Sequence, residues 1–292
     1  GDKFTPNDPV PSAPLAANYV EGGGYTTAYS NHWSQFTPQV TAEFKPNPDI
    51  MLYATYSTGY KGGGFEDDPA NALAAQSSYD PEKVNSYEVG AKFDLFDRRA
   101  RLNVAAFSMR YKNLQVTQTS QICLCNITDN AADAKILGIE AEAQVVLFPG
   151  FNLNGALTLL DTKYLEFTDS VGNVNDGKFL QRTPDYQFNV SANYVTDLGS
   201  WSDGFAANLS YSHQGKMSWS PDALANEPGY GTLGGRLTLS PTRDLSFSIW
   251  GRNLTDEEYG LVNTAAWSTF GATDVQTFGD PRTWGVTLTY QY

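Results

Sequence analysis

At 292 residues the chain is long enough for one large β domain or two ordinary ones, and it is 41% apolar and 13% aromatic with a net charge of −13. No stretch approaches the ~20 consecutive apolar residues of a membrane-crossing helix, which excludes a helical membrane protein, whereas a barrel, apolar on half of each strand, remains compatible with a mean hydropathy of −0.38. The acidic balance speaks against a nucleic-acid partner and suits cationic ligands, divalent-bridged lipopolysaccharide or plain solubility.

The opening GDKFTPNDPVPSAPL has neither a basic start nor an apolar core, so no signal peptide is read there. Alternation then sets in. Residues 35–45 place Phe36, Val40, Ala42 and Phe44 on one face, and 50–60 do the same with Ile50, Leu52, Ala54, Tyr56 and Tyr60. Tyr87, Val89, Ala91, Phe93 and Leu95 oppose Glu88, Gly90, Lys92 and Asp94. A long run from Arg101 reaches about Thr117. Next, Leu137, Ile139, Ala141, Ala143, Val145 and Leu147 face away from Gly138, Glu140, Glu142 and Gln144. Further strands start near Phe151, Tyr186, Gly204, Gly231, Leu245 and Thr283. The last ends at the carboxyl terminus, with Trp284, Val286, Leu288, Tyr290 and Tyr292 on one side and Gly285, Thr287, Thr289 and Gln291 on the other.

These are about eleven strands, most of them long enough to cross a bilayer at a tilt, which takes about 9–11 residues. Their connections alternate in length. Tight turns are expected at 46–49, 97–99, 149–150 and 241–244, with a slightly longer one at 198–203. Long polar segments fall between them, at 61–85, 119–135, 166–184, 216–229 and 261–281. The expected fold is therefore all-β, a transmembrane antiparallel up-and-down β-barrel with short periplasmic turns and long outside loops. Counting back from a periplasmic carboxyl terminus puts residues 1–31 in an outside loop and makes 32–292 barrel. Because such barrels have an even strand number with both ends inside, the chain is expected to be incomplete.

Several stretches resemble the TonB-dependent outer-membrane receptor family. FTPQVTAEFKPNPDIMLYATYSTGYKGGGF (36–65) is similar to that family's paired mid-barrel strands and the loop they open into. YDPEKVNSYEVGAKFDLFDRRARLNVAAFSMRYKNLQV and AKILGIEAEAQVVLFPGFNLNGALTLLDTKY resemble the hairpins that follow. GRNLTDEEYG (251–260) resembles the penultimate-strand signature through Asn253, Leu254, Asp256 and Tyr259, and DPRTWGVTLTYQY follows at the right distance. The resemblance implies the C-terminal half of a barrel of about 22 strands, with the plug domain and the other strands absent from this chain. It implies a receptor of the Gram-negative outer membrane for TonB-driven uptake of a scarce ligand, a ferric siderophore or other iron complex above all. The implied partners are the plug, the remaining barrel strands, TonB through the plug, outer-membrane lipid or lipopolysaccharide, and a small-molecule ligand. No catalytic role, resident cofactor or metal is implied. A passive porin, or uptake of a glycan or cobalamin, is the alternative.

Glu88, Lys92, Asp94, Glu140, Glu142 and Gln144 lie on the polar strand faces and so line the lumen, either hydrogen-bonding the plug or facing water. Tyr60, Lys61, Phe65, Trp219, Trp267 and Phe270 fall at strand tops or in long loops. They are candidate ligand contacts, against the alternative of an interfacial aromatic girdle, which suits Tyr60 better. Cys123 and Cys125 fall in an outside loop, where compartment favours a loop-stapling disulfide, although spacing i to i+2 would strain a bridge between the two. A metal site is the weaker rival there, since nothing places His32 or His213 nearby. The run DSVGNVNDG (169–177) offers oxygen ligands without EF-hand spacing and reads first as a turn-rich loop. His213, beside Ser210 and Ser212, has no clear acid partner for a hydrolase, and Gly62, Gly63 and Gly64 precede no helix that would make them a phosphate cradle.

Overall fold

The computed structural model describes residues 18–20, 24–26, 30–65, 78–119, 126–169, 172–199, 203–220, 226–264 and 275–292, and no α-helix occurs among them. Eleven strands form one sheet: β1 Gln39–Asn47, β2 Ile50–Lys61, β3 Glu82–Leu95, β4 Ala100–Thr119, β5 Asn126–Phe148, β6 Phe151–Phe167, β7 Tyr186–Thr196, β8 Gly204–Gln214, β9 Tyr230–Thr242, β10 Leu245–Arg252 and β11 Thr283–Tyr290. Every strand pairs antiparallel with its neighbours in sequence, an up-and-down meander with β1 and β11 as its edges. Four two-stranded ladders lie outside the sheet. Gly64–Phe65 with Ser78–Tyr79, Met217–Ser218 with Asn226–Glu227, and Gly260–Thr264 with Val275–Phe278 extend the long connections. Asn18–Val20 with Gly24–Thr26 precedes β1.

Tight turns close β1–β2, β3–β4, β5–β6 and β9–β10, a longer connection at 197–203 joins β7 to β8 at the same end, and the remaining connections gather at the opposite end. In the first turn Asn47 Oδ1 accepts the Asp49 amide at 2.9 Å, a side chain mimicking a backbone turn. Gly150 has φ +84°, and a Cβ there would run into the Val195 carbonyl oxygen, while Gly150 O accepts the Val195 amide. Gly150→Ala adds left-handed strain to a backbone clash. It is expected to cost about 2–4 kcal/mol, read as a lower urea midpoint of the folded, heat-modifiable band. An unchanged midpoint would show that the turn relaxes freely.

Period-two alternation puts large apolar side chains on the outward surface. Val40, Tyr87, Val89, Trp284, Val286 and Leu288 are each between 58% and 73% exposed. Such a skin belongs in hydrocarbon rather than in water. On the concave face, aromatic rings cover glycines of the neighbouring strand: Tyr53 over Gly90, Phe107 over Gly138 and Trp250 over Gly285, each at a directly paired position. These cross-strand contacts fill the gap a missing side chain leaves and pin the register.

The connection between β4 and β5 corrects the sequence reading of a loop at 119–135. The two strands run 20 and 23 residues and leave only 120–125 between them. A bilayer crossing needs about 9–11 residues, so the outer halves of β4, β5 and β6 stand above it, where lipid no longer enforces alternation. A small core replaces it: Val116, Ala132, Ala134, Tyr164 and Phe167 are buried, with Tyr111, Leu114, Ala131 and Leu180 packed against them. The 168–185 connection folds back on this core through Tyr164 N to Lys178 O, Gly177 N to Tyr164 O and Asn175 N to Phe167 O. Within the DSVGNVNDG run, Asp169 accepts the Asn173 amide and Asp176 accepts the Phe167 amide, both at 2.8 Å. Those oxygens serve the turn.

Candidate functional site

Register fixes which side chains meet on the concave wall. One row runs Glu43, Tyr53, Gly90, Ala105, Glu140, Thr158, Gln187, Gln214 and Tyr230 across β1 to β9; the next runs Met51, Lys92, Asn103, Glu142, Ala156, Asn189, Ser212 and Thr232. The alternation therefore puts Glu88, Lys92, Glu140, Glu142 and Gln144 on one face, and three of them line one recess. It has a volume of about 300 Å³ and is lined by Lys92, Glu140 and Glu142 together with Tyr53, Asn103 and Thr158. The Tyr53 hydroxyl donates to Glu88 Oε1 at 2.7 Å, and Lys92 Nζ lies 5.9 Å from the Tyr53 ring centre. Asn103 Nδ2 donates to Glu142 Oε2 at 3.4 Å, while its buried Oδ1 has no partner among the described residues. An unpaired buried acceptor costs free energy unless a donor reaches it. Asp94 lies apart, near the tight-turn end, in a two-bond pair with Arg101 at 2.7 and 3.2 Å. Its partner was not legible in the periodicity.

Further along the same two rows a second recess of about 370 Å³ is lined by Thr158, Gln187, Asn189, Ser212, Gln214, Tyr230 and Tyr259. It is rich in neutral amides and hydroxyls. Tyr230 and Tyr259 stack with ring centres 4.4 Å apart, and a flat aromatic pair beside polar side chains is a common recognition surface. The GRNLTDEEYG segment holds Tyr259 there. Asn253 and Asp256 take positive φ (47° and 59°), which these residue types tolerate. Asn253 Nδ2 donates to Glu257 O and Asp280 O, and Asp256 accepts both the Arg282 amide and its guanidinium. The motif thus staples the end of β10 to the start of β11.

Among the described residues, the candidate ligand contacts do not form one cluster. Tyr60 pairs with Lys83 on the outward face shared with Tyr56 and Tyr87, so it is turned from the lumen. Lys61, its neighbour, takes the other face. Phe65 packs 6.0 Å from Trp33, an aromatic that periodicity alone did not single out. Trp219 is 7% exposed, packed within its long connection, and its Nε1 donates to Glu227 Oε2. Glu227, also buried, accepts the Gly260 amide on Oε1 (2.8 Å) and Gln276 Nε2 on Oε2 (3.0 Å), tying two long connections together. Trp267, Phe270, Cys123 and Cys125 lie outside the described residues. His213 pairs with Phe188 on the outward face, its nitrogens 3.0 Å from the Tyr186 hydroxyl and 3.4 Å from that of Tyr211. Ser210 and Ser212 point to the opposite face, so they do not form a nucleophile and base with it.

Residues 5–254 match the family model described as TonB dependent receptor-like, beta-barrel. The chain belongs to that receptor family. TonB-dependent receptors are outer-membrane β-barrel proteins of Gram-negative bacteria, transport receptors rather than enzymes. This receptor barrel is 25% identical over 226 residues to the metal-pseudopaline receptor CntO of Pseudomonas aeruginosa, an alignment that covers 76% of this chain and 30% of CntO. It is 27% identical over 131 residues to the probable TonB-dependent siderophore receptor PiuA of Acinetobacter baumannii, covering 44% of this chain and 17% of PiuA. Among solved structures it superposes on the ferric yersiniabactin uptake receptor FyuA of Yersinia pestis with TM-score 0.74 at 22% identity, over 87% of this chain and 37% of FyuA. The receptor barrel thus spans about a third of the length of CntO and FyuA.

Tyr53, Asn103, Tyr230 and Trp33 were missed as site residues. The available signal was an aromatic on the polar side of an alternating strand: Tyr53 sits between Leu52 and Ala54, opposite a glycine that only register identifies.

Proposed function

We propose that this chain forms part of the barrel wall of a receptor that takes up a ferric siderophore or similar small metal chelate across the outer membrane, driven through TonB. The observation that carries the reading is the polar concave wall, with Asn103 Oδ1 unpaired between Lys92 and Glu142, in a family whose members include receptors named for metal chelates. The charged recess receives donors of a plug domain. The amide-rich recess with Tyr230 and Tyr259 faces the ligand's path, and Lys61 and Phe65 stand at its mouth. Residues 1–31 belong to an outside loop, and 32–292 to the barrel. Lipopolysaccharide surrounds the outer half.

Radio-iron uptake from a panel of ferric chelates tests this in cells carrying the full-length gene. Uptake of one chelate is expected to fall at least about tenfold on deleting the gene, and equally on collapsing the proton-motive force or removing TonB. Uptake that persists without TonB, together with open conductance of the purified protein, would establish a passive porin instead.

A further inference from the structure

Five of the 19 Lys and Arg side chains of this acidic chain gather on one outward patch. Arg110, Lys135 and Lys163 occupy directly paired positions on β4, β5 and β6, and Lys83 and Lys112 form a second paired couple one outward position higher. None of the five is in an ion pair among the described residues. The carboxylates on the same face are Asp161, one outward position below Lys163, and Asp133 and Glu166, paired with each other above it; Asp133 Oδ1 accepts the Asn113 amide. Like charges placed directly opposite across strands repel, so the row of three is held at a cost that a bound anion would remove.

The height of the row identifies the anion. Two outward positions below it, about 13 Å along the strand, lie Val89, Ala106, Ile139 and Leu159, part of the apolar skin; Ile139 is 47% exposed. Tyr56 and Tyr87, with ring centres 5.1 Å apart, stand between the two levels. A cation row one outward position above an aromatic pair, and two above the apolar skin, lies at head-group depth. It lies at the end of the long connections, which the outer-membrane topology places in the outer leaflet. We propose that Arg110, Lys135 and Lys163, flanked by Lys83 and Lys112, bind the phosphates of a lipid A head group in that leaflet. The site is independent of the transported ligand.

The test uses the full-length receptor in phosphatidylcholine nanodiscs doped with bis-phosphorylated lipid A, with lipid A stripped of phosphate, or with phosphatidylglycerol, and native mass spectrometry counts the lipids retained. Wild type is expected to retain phosphorylated lipid A at least about tenfold better than either other lipid. The Arg110→Gln/Lys135→Gln/Lys163→Gln variant is expected to lose that preference, cations near an anionic surface contributing several-fold each. Arg243→Gln, at a tight turn of the opposite end, leaves it intact. The proposal is overturned if wild type retains the phosphate-free lipid or phosphatidylglycerol equally well, a comparison that needs no variant to fold. It is also overturned if the folded triple variant keeps the preference, or if inorganic phosphate displaces the lipid.

Discussion

Glu227→Ala is expected to release the two long connections that precede β9 and β11 from each other. The carboxylate is 3% exposed and holds three neutral donors, the Gly260 amide, Gln276 Nε2 and Trp219 Nε1. Removing it leaves these donors facing an apolar methyl group. Each buried donor so orphaned costs about 1–3 kcal/mol, and water entering the gap recovers part of that, giving a local loss of about 2–4 kcal/mol. Hydrogen exchange at Gly260 and chymotrypsin cleavage within 253–282, which contains Tyr259, Leu261 and Phe278, are both expected to accelerate, with the barrel strands unaffected. Glu227→Gln keeps an oxygen for Gly260 but turns an amide nitrogen toward Gln276 and Trp219, so it falls between. If Gly260 exchanges at the wild-type rate in the alanine variant, the two connections are held by something other than this carboxylate.

Phe167→Ala should loosen the outer cap on β4, β5 and β6. Its ring is wholly buried and lies 4.7 Å from that of Tyr164. Phe-to-Ala changes in packed cores cost about 3–5 kcal/mol. The expected result is faster proteolysis within 168–185 at an unchanged heat-dependent gel shift, because the cap stands above the membrane-crossing part of the strands. Loss of the gel shift would show that the cap and the crossing part fold as one unit. The same core carries a pH dependence. Burial pushes the Tyr164 phenol above its ordinary value, opposed by a hydrogen bond with the Gln181 backbone. The unfolded cap therefore ionises first, and stability that is full below about pH 10 declines as pH rises beyond it. Tyr164→Phe should flatten that decline, measured as cap proteolysis against pH.

The outward and inward faces of β3 and β5 could be read directly from residues such as Val89 against Glu88 and Ile139 against Glu140, since a strand's period of two assigns each side chain a face from its nearest neighbours alone. The alternation of tight and long connections was equally local, and Trp284 and Leu288 stand outward as the alternation of the last strand requires. Beyond the bilayer that logic fails. Residues 119–135 look like a polar loop because no lipid demands apolar alternation there, yet most of them are strand, held by cross-strand pairing and the core around Tyr164 and Phe167. The burial of Trp219 was likewise not legible, because an aromatic in a loop carries no mark of it.

What the chain's order of residues determined by itself was the class of fold, the face of each membrane-crossing side chain and the end at which the long connections gather. Tertiary structure alone decided the partners: Arg101 for Asp94, Gly90 for Tyr53, Glu227 between two loops, and Arg110 beside Lys135 and Lys163. The physical reason is that face depends on adjacent residues, whereas register joins positions tens of residues apart. Pairing energies and packing across strands set that register.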